Sequence, residues 1–121
     1  MPRLLTTSRR MVDCHFDAVV RYLRTLIRAT GWIEANHIEA RRLVAGECGV
    51  GQDEIETYLE ADYLDKFLPQ LSDQLVETLT VMKSFLYERG FITRDFALED
   101  WIDSRALLEA YHLEGREWST A

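Results

Sequence analysis

Apolar positions along most of this chain recur every three to four residues, the period of a helix with one face turned to a core. From Asp17 to about Ala35 the series Val19/Val20, Leu23, Leu26/Ile27, Thr30 and Ile33 marks one face, while Arg21, Arg24 and Arg28 mark another. Asn36 then stands where an N-cap would, and Glu39 lies three residues on, the spacing of a capping box for a helix from Ile38 to Glu47. Gly46 and Gly49 mark its end. A short helix is expected to begin near Gly51 to Asp53, whose acid suits a first turn, and to run through Ile55, Tyr58 and Leu59. Ala61 to Pro69, with Tyr63, Leu64, Phe67 and Leu68, fits either one helical turn or an extended strap across the core.

Ser72 restarts a strong pattern, with Leu75, Leu79, Met82 and Leu86 on one stripe. Gly90 ends it, and Phe91 is placed for the apolar contact of a C-cap. Two short helices close the chain, Leu98 to Ile102 and Ala106 to Leu113, separated by Asp103-Ser104 with Ser104 as the cap. At the other end, Arg3-Leu4-Leu5-Thr6-Thr7 is the one candidate strand, after which Ser8 or Thr7 would cap a short helix through Cys14. A lone strand leaves backbone donors and acceptors unpaired unless a second one joins it. The expectation is therefore a mainly α fold, bundle-like, with at most one short N-terminal strand.

A length of 121 residues with 47% apolar content sets the size at one domain, residues 1–121, with enough apolar material for a single core. Only Pro2 and Pro69 interrupt the chain, and no Gly/Ser linker, repeat or low-complexity tract divides it. No apolar run approaches the roughly 20 residues of a membrane span, so none is expected. The start, Met1 to Arg10, lacks the apolar stretch of a secretion signal; as written, the chain is expected in the cytoplasm. Cys14 and Cys48 sit on helical segments without CxxC spacing, which reads as two half-buried reduced thiols.

Charge adds an asymmetry. The net value is −7, yet residues 1–45 carry eight Lys/Arg against four Asp/Glu, and residues 46–121 carry six against seventeen. Halves of +4 and −11 either attract each other or steer a partner. A pI of about 4.9 argues against nucleic-acid binding by the arginine face, even with Arg41 and Arg42 nearby in sequence.

Candidate chemistry is thin. His15, His37 and His112 lie far apart with no metal-ligand spacing, so no metal is expected. Asp95, Glu99, Asp100 and Asp103 cluster beside Trp101, but a linear acidic run on a short helix reads as a solvated face and not as a carboxylate pair across a cleft. Gly46-Glu47-Cys48-Gly49-Val50-Gly51 has the wrong spacing for a phosphate loop and follows a helix. Trp32, Trp101, Phe85, Tyr87 and Phe91 are expected as core aromatics. No catalytic residue and no cofactor emerge from this reading.

Several segments together carry a resemblance. Leu4 to Val12 looks like a strand followed by an "s-r-e-f" helix start, Ala18 to Asn36 like a long helix ending in "W-I-x-x-N", and Ile38-Glu39-Ala40 like the "x-x-E-A" that follows. Phe85 to Ile92 is similar to "f-l-y-e-x-G-l-i", and Asp100 to Leu107 to "l-i-D-x-r-x-L". In this order they resemble the C-terminal part of periplasmic substrate-binding proteins of the nitrate/sulfonate/taurine ABC-transporter class, a two-lobed α/β fold shared with thiamine-pyrimidine synthases. The chain departs from that pattern at Cys14-His15-Phe16-Asp17, where the family often has an "h-P-d" turn.

The resemblance implies the helical last third of such a protein: a truncated or split, non-catalytic domain related to uptake of small nitrogen or sulfur compounds. It places the family's ligand contacts chiefly upstream, leaving Arg9 and Arg10 as the ligand-binding candidates here. It also implies an upstream domain or second chain that completes the lobe, and a periplasmic location if the chain belongs to a longer secreted precursor. Two other readings stand beside it. One is a stand-alone helical interaction module that dimerises or docks a partner, and the other is a fragment of a desulfinase-like enzyme of the same fold.

Overall fold

The structure is a computed structural model that describes residues 4–51, 54–55 and 67–117. Six helices stand among the described residues: α1 (Arg9–Cys14), α2 (Phe16–Ala35), α3 (His37–Cys48), α4 (Asp73–Glu88), α5 (Leu98–Trp101) and α6 (Arg105–Leu113). The fold is mainly α. Residues 4–7 are irregular, so the expected N-terminal strand is not formed within them. Without a second strand to take its donors and acceptors, such a segment gains nothing from extension.

The helix ends follow local chemistry. Ser8 Oγ accepts from the Met11 amide at 3.1 Å and starts α1, and Ser72 Oγ accepts from the Leu75 amide at 3.4 Å and starts α4. Gly49, Gly90 and Gly115 adopt φ of 68°, 72° and 62°. Each closes a helix with the paired reverse bonds of a Schellman motif; at Gly90 these are Phe91 N–H to Leu86 O (2.9 Å) and Gly90 N–H to Tyr87 O (3.0 Å).

Three residues expected to cap helices do not do so. Asn36 gives α3 no side-chain cap and instead donates from Nδ2 to Trp32 O at 2.9 Å, closing α2. Glu39 turns away to Arg42, one turn on, whose guanidinium takes both of its oxygens. Ser104 likewise gives α6 no side-chain bond. Asp103 Oδ1 accepts the Arg105 amide in its place, at 3.1 Å.

The long helix α2 is the hub. It packs most extensively on α6 and also on α1 and α3. Val20, Leu23 and Ile27 of α2 meet Ala106, Leu107, Ala110 and Tyr111 of α6 in one buried cluster. Ala106 and Ala110 are small side chains of the kind that let two helices pack closely, and both are buried in this cluster.

Of the span Ala61 to Pro69, only residues 67–69 are described; residues 67–71 are non-helical and run beside this core. Leu68 and Leu71 pack on it, and the Tyr111 hydroxyl donates to Pro69 O at 2.8 Å. Tyr63, Leu64, Tyr58, Leu59 and Asp53 lie outside the described residues. Of the short helix expected there, Glu54 and Ile55 are helical, and Glu54 Oε2 takes the Gly51 amide at 3.1 Å.

Candidate functional site

The arginine face of α2 is the first place where charge gathers, and the fold spends most of it internally. Glu114, at the C-terminal end of α6, accepts from Arg24 Nε at 2.6 Å and from Arg28 Nε at 2.8 Å. Its carboxyl is held below the ordinary glutamate range by those two bonds, that of Arg28 first. One turn beyond, Arg116 reaches Glu34 at 3.1 Å across Gly31. The segment after α6 is thus fastened to α2 by three ion contacts, two at Glu114 and one at Arg116, on either side of Gly115. Arg21, the third arginine, instead lines an open depression of about 350 Å³ with Asp13, Cys14, His15, Asp17 and their neighbours.

The ligand candidates of the N-terminal segment are placed beside α5 and α6. Arg9 Nη2 donates to Asp100 O at 3.4 Å. Arg10 is exposed on α1. Asp13, one turn on, meets Arg105 at 3.5 Å, so α1 is tied down by backbone and side chain together. The structure does not bring Arg9 and Arg10 together with the Arg24/Arg28 pair; each is engaged on, or faces, a different part of the surface.

The acidic cluster disperses in the same way. Lys83 Nζ donates to Asp95 at 2.7 Å and to Phe96 O at 3.0 Å, and lies 5.6 Å from the Phe96 ring centroid. Asp103 is held by Arg105 at 2.6 Å. Asp95 and Asp103 both have lowered pKa values, caused chiefly by the side-chain bonds from Lys83 and Arg105. A general acid must keep its proton near working pH, and these carboxylates are pushed the other way. Among the described residues no group of three His, Cys, Asp or Glu converges as a metal site. His15, His37 and His112 are all exposed, as are Cys14 and Cys48, which correct the expectation of half-buried thiols. Both cysteines stand at helix ends, where the core does not reach.

What the periodicity misplaces most is the aromatic set. Trp32, Trp101, Phe85, Tyr87 and Phe91 are all exposed and do not build the core. Trp101 leans on Phe96 with ring centroids 6.5 Å apart. Phe91 makes the backbone bonds of its C-cap while its ring stays 72% exposed.

A further departure lies on α4. Its inward stripe is as expected, with Leu79 buried and Leu75, Met82 and Leu86 half-buried. Val81 and Phe85, however, stand on the outer side at 71% and 51% exposure. They are one turn apart on the same face, and the Arg89 guanidinium lies 5.6 Å from the Phe85 ring centroid. Glu77, four residues before Val81, and Glu88, three after Phe85, bracket that strip. Among the described helices, α4 packs on none as extensively as α2 packs on its three neighbours. The signal for this was present in the sequence as two apolar stripes on one helix, only one of which a small core can cover.

Among the described residues no helix is long and apolar enough to cross a membrane. Compared with family models, with curated proteins and with solved structures, the chain has no match.

Proposed function

We propose that this chain is a non-catalytic helical interaction module whose working surface is the outer face of α4. The observation that carries the proposal is the exposure of Val81 and Phe85 beside a core that closes without them. Exposed apolar side chains that contribute nothing to folding are costly in solution, and contiguous ones mark interaction surfaces. The chemistry elsewhere supports a non-enzymatic reading: the best-placed carboxylates are committed to Lys83, Arg105 and the Arg24/Arg28 pair.

Thermal unfolding tests the premise. Val81→Ser and Phe85→Ser each leave stability within about 0.5 kcal/mol of the parent, as expected of surface positions outside the fold's own contacts. A loss above about 2 kcal/mol from either would show that the side chain serves the fold, and the proposal would fall.

The transport ancestry is a second proposal, supported by the order of the segments that now lie in α1–α2, at the end of α4 and in α5–α6. In that reading the chain is the helical last third of a substrate-binding-protein-like lobe, and the rest of the lobe covers α4. The intact mass of the natural polypeptide decides it, because an upstream α/β segment is required and a mass of 14.1 kDa would exclude one.

A further inference from the structure

We infer that Arg24 and Arg28 form an oxyanion site, independent of α4, in which the chain's own Glu114 carboxylate is an internal occupant that a phosphate group displaces. The two arginines lie about one turn apart on α2, and each gives its Nε–H to a different oxygen of Glu114, at 2.6 and 2.8 Å. Two guanidinium groups sharing one anion through separate oxygens suit a phosphate as well as a carboxylate. Their terminal nitrogens take no further partner among the described residues.

Charge favours the exchange. A single carboxylate leaves one of the two charges on the Arg24/Arg28 pair uncompensated, and a phosphate dianion cancels both. Arg21 continues the same face and forms no ion pair among the described residues, with Asp17 as the acid beside it in the depression. Vacating the site needs no refolding. The backbone around Glu114 is held by its own helix, Glu114 N–H to Ala110 O and Arg116 N–H to Tyr111 O, both at 3.1 Å. Rotation of the Glu114 side chain therefore frees both guanidiniums while the end of α6 stays closed and Arg116 stays on Glu34. The Arg28 side chain is 64% exposed, so an ion reaches it from solvent, and ion pairs of such exposure are weak enough to be competed away. Arginines one turn apart span one phosphate group and not a strand of them, and a chain of net charge −7 repels an extended polyanion.

NMR of the full chain at about pH 7 tests this, with inorganic phosphate added at constant ionic strength and the Nε–H signals of Arg24 and Arg28 as the readout. In Glu114→Gln both signals are expected to shift saturably, at a phosphate concentration at least about 10-fold below the parent's, because the internal competitor is gone. Glu114→Gln/Arg28→Gln should lose that gain. An equal response of parent and Glu114→Gln, or no saturable shift in Glu114→Gln up to about 50 mM phosphate, overturns the inference. Should Glu114→Gln fail to fold, judged by its Ile27 and Leu107 methyl signals, the parent decides. Its Glu114 carboxylate carbon should move in step with the two arginine signals as phosphate is added, and a carboxylate carbon that stays in place overturns the inference. A phosphoserine peptide of otherwise uncharged side chains separates the two sources of the group: tighter binding than inorganic phosphate assigns the site to a phosphorylated partner, and equal or weaker binding assigns it to the free ion.

Discussion

Gly31 shows how a single position joins two distant parts of the chain. A Cβ at this site would lie 2.9 Å from Arg116 Nη2, so the absence of a side chain is what lets that guanidinium cross α2 to Glu34. Glycine inside a helix costs about 0.5–1 kcal/mol relative to alanine. The obstructing atom is the tip of a flexible side chain, and an exposed ion pair contributes only about 0–1 kcal/mol. Gly31→Ala is therefore expected to leave stability unchanged or raise it by up to about 1 kcal/mol in urea unfolding. A loss above about 1 kcal/mol would mean that Arg116 cannot move aside. The same scale explains the misplaced aromatics: a helical spacing tells which residues share a stripe, but not which of two stripes the rest of the molecule will cover. Phe85 follows the period as faithfully as Leu79, and only Leu79 is buried.

At the scale of elements, what was legible in the sequence was local. Ser8, Ser72 and Gly90 act within a few residues of themselves, and the helix boundaries they set are close to those expected. Asn36, Glu39 and Ser104 failed as caps because a nearer competitor was available, Trp32 O for the first, Arg42 for the second and Asp103 in place of the third. The clasp of Arg24 and Arg28 on Glu114 joins positions about ninety residues apart, and no local pattern announces such a pairing. It also revises the arginine face, which reads as surface charge and is spent mainly on holding α6 to α2. Because the Glu114 pKa is lowered in the folded state, its contribution is complete above the ordinary glutamate range and is lost as pH falls from that range through the lowered folded-state value. Glu114→Gln should accordingly lower the urea midpoint at pH 7, and the gap from the parent should narrow steadily as the pH is taken below the ordinary glutamate range. A gap that stays constant across that descent would show that Glu114 acts through packing and not through its charge.

Across the whole molecule, the buried cluster between α2 and α6 is the centre of the described fold, and the opposing charges of the two halves are partly paired beside it, at Arg24/Arg28 with Glu114. What remains is negative charge with few compensating cations, and an apolar strip on α4 that the core leaves uncovered. The division of labour between these two regions can be read in one spectrum. In a methyl NMR spectrum recorded with a soluble paramagnetic agent, the Val81 methyl signals are expected to broaden while those of Ile27 and Leu107 keep their intensity. Val81 methyls as protected as those of Ile27 would contradict the assignment of the outer face of α4 as the working surface.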